Sequence, residues 1–108
     1  MTSILLAVVL AASVLTTPVP HGYATWYRTS LHHAAAGPVL RHALRVAYGS
    51  WRGRWVSVCR RGTCIRVKPT DFCGCPPRHG HPTLIDLDRR DFARLASPNR
   101  GVIWVSVR

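Results

Sequence analysis

The chain has 108 residues, 47% of them apolar and 18% charged, which suits one globular domain and leaves no room for a second. Fourteen Arg and one Lys face four Asp and no Glu, a net charge of +11 with a pI near 11.3. That balance argues against a cationic partner and for an anionic one, whether nucleic acid, anionic lipid or acidic wall polymer, held by contacts that weaken with salt.

Ile4 to Leu15 is an apolar stretch of the length of a signal-peptide core and short for a membrane span. Residues 1–20 are therefore expected to be a signal peptide or an uncleaved hydrophobic anchor, with the folding unit at 21–108. A buried apolar strand is the alternative, since Met1-Thr2-Ser3 lacks a basic residue. Export places the chain outside the cell or on its wall, where intracellular nucleic acid is rarely met and disulfides persist.

Tyr23 to Tyr27 has the aromatic and β-branched content of a strand, and Thr29 to His33 reads as loop. Gly37-Pro38 followed by Leu40, Ala43, Leu44 and Ala47 predicts a two-turn helix that Gly49 ends. Trp55 to Cys59 alternates as a strand, Arg60 to Thr63 forms a four-residue hairpin loop, and Cys64 to Lys68 returns. Pro69 to Pro82, with four Pro and two Gly, is expected to be a loop of restricted backbone and the seat of function. Leu84 to Leu87 is a short strand, and Asp88 caps a helix whose Phe92 and Leu95 face inward. Val102 to Val107 closes the chain, with Ile103, Val105 and Val107 on one face and Val102, Trp104 and Ser106 on the other. The sum is a mainly β domain, a small barrel with one or two short helices.

Few residues suggest chemistry by type alone. Asp71 opens the Pro-rich segment, where a carboxylate either caps loop N–H groups or works in a site. Asp88 and Asp91 are expected to be helix-cap and surface charges, and the six His surface residues. Cys59 and Cys64 can face each other across the hairpin, while Cys73-Gly74-Cys75 allows a local bridge or pairing with the hairpin, so all three connectivities stay open. A zinc site with His79 or His81 fits the C-x-C and C-x4-C spacings poorly, so neither metal nor cofactor is expected.

Taken in order, the segments resemble a known family. Gly22-Tyr23-Ala24-Thr25-Trp26-Tyr27 resembles the opening motif of rare lipoprotein A-like domains, and Ala34-Ala35-Ala36 their next Ala-rich segment. Thr70-Asp71 is similar to the Thr-Asp-x-Cys of expansins and barwins, and Ile85-Asp86-Leu87 with Phe92-Ala93 to their helix entry. The resemblance runs from Gly22 to Arg108 and implies a six-stranded double-psi β-barrel.

It also implies function: a secreted domain that binds or remodels cell-wall glycan; a monomeric state is expected of so small a barrel. Asp71 matches the groove carboxylate treated as catalytic in the lytic branch. One carboxyl suffices for a lytic transglycosylase, because the muramic 6-hydroxyl attacks intramolecularly while the acid protonates the leaving oxygen. Asp86 matches a second groove position, and Phe72, Tyr27 and Trp26 are the expected glycan-binding side chains. The lytic branch carries a His after its alanines where Ala36 or Gly37 stands here, and His32, His33 and His42 lie out of register. Expansin-like binding without cleavage and transglycosylase cleavage by Asp71 therefore both stand, with peptidoglycan and anionic wall polymers as partners. A basic nucleic-acid- or membrane-surface-binding protein and a barwin-like inhibitor of another protein are the alternatives.

Overall fold

A computed structural model describes residues 19–108. The signal segment expected at 1–20 lies, apart from Val19 and Pro20, outside the described residues.

Six strands form: β1 (His21–Tyr27), β2 (His33–Ala36), β3 (Val56–Arg60), β4 (Thr63–Phe72), β5 (Thr83–Asp88) and β6 (Ile103–Val107). They close into a barrel in the order β1-β5-β2-β4-β3-β6. The β1/β5 and β2/β4 pairs are parallel and the other four antiparallel. Helix α1 (Pro38–Tyr48) joins β2 to β3, helix α2 (Arg89–Ala93) follows β5, and a 3₁₀ turn (Pro98–Arg100) precedes β6. This is the small barrel with short helices that the sequence pattern predicts, with the six strands that the family resemblance implies.

Period-2 alternation fills the barrel. Val56 and Val58 of β3, Ile65 and Val67 of β4, and Ile103, Val105 and Val107 of β6 are all buried. Leu84, Ile85 and Leu87 of β5, Leu40 of α1 and Phe92 of α2 complete the core. Each such side chain contributes roughly 1.5–3 kcal/mol by leaving water.

The structure corrects several local expectations. The alanine run, to which the pattern assigns no element, forms strand β2 together with His33 from the expected loop: it lies between β4 and β5, with Ala34 and Ala36 within the barrel and Ala35 buried as well. Gly37 follows because a Cβ at that position would collide with the backbone carbonyl of Thr83. Strand β4 runs on through Pro69 to Phe72, since pairing with β2 continues where the Pro content predicts loop. The hairpin turn is two residues, Arg61 (φ 49°) and Gly62 (φ 84°), both left-handed as a type I′ turn requires. Helix α1 has 11 residues, about three turns, and Gly49 (φ 85°) ends it by donating its N–H to the Arg45 carbonyl.

Asp91 is also not a surface charge. It is fully buried, accepting from the backbone N–H of His32 (2.7 Å) and pairing with that residue's Nδ1 (2.9 Å). Asp88 caps α2 as expected, accepting from the Arg90 N–H at 2.9 Å, and is itself buried.

Candidate functional site

Strand register places the site. Asp86 on β5 lies opposite Thr25 of β1 on one side and Ala35 of β2 on the other, and Ala35 in turn lies opposite Asp71 of β4. Thr25, Asp86, Ala35 and Asp71 thus form a row across four strands. Neighbouring strands are about 4.8 Å apart, so the two acidic positions stand on the order of 10 Å apart along the row. The Ala35 methyl between them leaves the floor open.

Tyr27, two residues beyond Thr25, shares its face of β1, and its hydroxyl donates to Asp71 Oδ2 at 3.3 Å. Phe72 stands 67% exposed beside Asp71, with the Arg41 guanidinium 5.6 Å from its ring centroid. Arg41 also donates to the carbonyls of Ala36 (2.7 Å) and Cys73 (3.1 Å), tying α1 to β2 and to the segment after β4. Arg52 donates to the Thr70 carbonyl. Together Tyr27, Ala35, Arg52, Asp71, Phe72, Cys73, Gly74 and Asp86 line an open cleft of about 500 Å³.

Burial raises the Asp86 carboxyl above its ordinary range, against a Thr25 hydroxyl that donates to it at 2.9 Å. Burial, reinforced by the Asp71 and Asp86 charges and opposed by a Thr29 hydrogen bond, raises the Tyr27 phenol. Tyr27 therefore remains a donor at neutral pH. The cleft offers carboxyl oxygens, a phenol, a guanidinium and an exposed ring, a set that can hydrogen-bond sugar hydroxyls and stack on a sugar face.

The structure brings Tyr27, Asp71, Phe72 and Asp86 together but not Trp26. That indole packs against the core, donates Nε1–H to the Pro98 carbonyl (2.8 Å) and carries Arg89 over its ring. None of the His lines the cleft; His33 pairs with Thr70 at 3.1 Å on its flank. Arg41 and Arg52 have no motif in the sequence that announces them, and only the Ala run hints at the floor. Of the three disulfide connectivities the structure shows Cys59–Cys64, with Cα atoms 4.1 Å apart, and Cys73–Cys75, at 5.1 Å. The second bridge sits in the cleft wall.

No protein-family model and no curated protein matches the chain. Solved structures do. The Streptomyces papain inhibitor superposes with a TM-score of 0.62 at 25% identity, over 84% of this chain and 93% of the inhibitor. Clavibacter michiganensis expansin superposes as a mutant in complex with cellohexaose (TM-score 0.60, 21% identity) and in its apo form (0.61, 22%). Each match covers 84% of this chain and 50% of the expansin, so the chain spans half the length of those expansin chains. The closed barrel is the double-psi β-barrel shared with these proteins. At such identity the expansin likeness concerns fold.

Proposed function

We propose that this chain is a secreted, cell-wall-facing domain whose cleft binds polysaccharide, peptidoglycan foremost, between Asp71 and Asp86. The row of Thr25, Asp86, Ala35 and Asp71, bordered by Tyr27 and the exposed Phe72, carries the reading. An expansin of the same fold in complex with cellohexaose supports it, and two disulfides accord with export. In this expansin-like action Asp71 and Tyr27 grip sugar hydroxyls and Phe72 supplies an apolar face, with no bond broken.

The lytic form of the same reading makes Asp71 general acid and then base, with the Tyr27 hydroxyl orienting it. The oxidised protein and an Asp71→Asn variant, incubated with purified peptidoglycan, separate the two. Soluble 1,6-anhydromuropeptides from wild type alone establish cleavage through Asp71. Their absence from both, with wild type sedimenting with the wall and the variant not, establishes binding. Failure of wild type to sediment at all rejects the glycan reading.

A second reading rests on the papain inhibitor, which the chain matches over 93% of that protein's length. Here the exposed segment Pro76 to His81 would meet a cysteine protease. Titration against papain decides it: stoichiometric inhibition favours this reading, and unchanged proteolysis removes it.

A further inference from the structure

The other half of the barrel wall, formed by β3, β6 and the start of β1, carries a second open cleft of about 570 Å³. Tyr23, Trp104, Arg60, Arg61 and Arg100 line it, and it shares no residue with the first. Its aromatic part follows from strand alternation. Ile103 and Val105 point into the core, so Trp104 between them points out, opposite Tyr23 in the β1/β6 register. Tyr23 and His81 each meet the indole edge to face, with centroids 5.1 and 5.0 Å away and planes at 81°. Two such contacts hold the ring in place while it remains 44% exposed.

The cationic part gathers residues distant in the chain. Arg60 ends β3, Arg61 occupies the hairpin turn and Arg100 ends the 3₁₀ turn. Arg60 is fixed by a 3.0 Å hydrogen bond to the Leu95 carbonyl. Arg61 and Arg100 line the same cleft, and after desolvation their charges lower the proton affinity of Arg60. No carboxylate side chain relieves them, because all four Asp are placed elsewhere. Asp71 and Asp86 line the first cleft, Asp88 pairs with Arg90, and Asp91 with His32. A cluster of like charges beside a fixed, exposed indole suits a ligand that brings negative charge and a flat apolar face together.

We propose that this cleft is a second glycan-recognition face, for a polysaccharide whose units carry carboxylate or phosphate groups. A sugar ring stacks on Trp104 while Arg60, Arg61 and Arg100 hold the acid group. This does not rest on the reading of the Asp71 cleft, which lies on other strands apart from β1.

The test measures affinity of the oxidised chain for polygalacturonate, a glycerol-phosphate polymer, neutral cellohexaose and a DNA duplex at physiological salt. The variants are Trp104→Ala, Trp104→Phe and the pair Arg61→Asn with Arg100→Ser; Asn tolerates the left-handed turn and Arg60 keeps its structural bond. Thermal melts confirm that each is folded. The expected result is tenfold or greater weakening toward the polyuronate or the phosphate polymer in Trp104→Ala and in the arginine pair. Trp104→Phe should restore most of the affinity. Which polymer responds identifies the acid group. Binding of neither acidic polymer overturns the proposal. So does equal weakening of DNA and both polymers by the arginine pair with no effect of Trp104→Ala, which is plain charge attraction. Loss in Asp71→Asn alone would assign the ligand to the first cleft.

Discussion

The two halves of the barrel wall are built from the same alternating strands and carry opposite chemistry. On β1, β5, β2 and β4 the outward positions hold Thr25, Asp86, Ala35 and Asp71, and the cleft is floored by a methyl group. Around β3 and β6 the surface holds Trp104 and, at the strand and turn ends, Arg60, Arg61 and Arg100. A net charge of +11 therefore describes the arginine face but not the acid-bearing one. The scarce acids are concentrated on one side, where strand register sets their spacing, and the other side is left to the arginines. Charge in this small barrel is distributed by register more than by composition.

Perturbing the halves separately sharpens that contrast. Helix α2 packs on β1 and β5 through Phe92, so Phe92→Ala should cost about 3–5 kcal/mol in urea unfolding, the largest expected effect, and weaken the acidic half first. Replacing Cys59 and Cys64 by Ala, which unclamps the β3/β4 hairpin beneath the arginine cluster, should cost about 2 kcal/mol. If the two losses are equal, the halves are not separately supported.

Smaller effects come from the acids themselves, and they run in opposite directions with pH. Burial acts to raise the Asp88 carboxyl, but hydrogen bonds from Arg90 and Thr29 override it and leave it below the ordinary 3.8. Its contribution is therefore complete above about pH 4 and lost as pH falls through its folded value. Asp88→Ala should cost about 1 kcal/mol at neutral pH and flatten that acid limb in unfolding curves taken from pH 2 to 7.

Asp86 titrates above 3.8, chiefly through burial, so its contribution is present below that pH and lost as pH rises through its folded value. Asp86→Asn keeps an acceptor for Thr25 and should gain stability above about pH 4, by ~0.5 kcal/mol or less after solvent screening. A loss of stability in that variant at pH 7 would show that Asp86 is structurally required as a charge.

Strands with a clear alternation were legible residue by residue. Val102 to Val107 reads directly as a half-buried strand, and the structure pairs β6 with β1 and β3 on that phase. The β3/β4 hairpin was equally plain, and its register set the Cys59–Cys64 bridge. β2 was not legible as a strand, because alanine has little intrinsic preference for one and its pairing depends on β4 and β5, far along the chain. Asp91 was misread for a similar reason: its burial depends on His32, 59 residues away.

By itself the sequence determined the faces of the alternating strands, the starts of both helices, the stop at Gly49, the hairpin and the excess of positive charge, because each depends on residues within a few positions of one another. Ring closure, and with it the meeting of Asp71 with Asp86 across Ala35 and of Arg60 with Arg100 beside Trp104, was decided only by tertiary structure. Those neighbours share no local signal, and strand register alone brings them within reach.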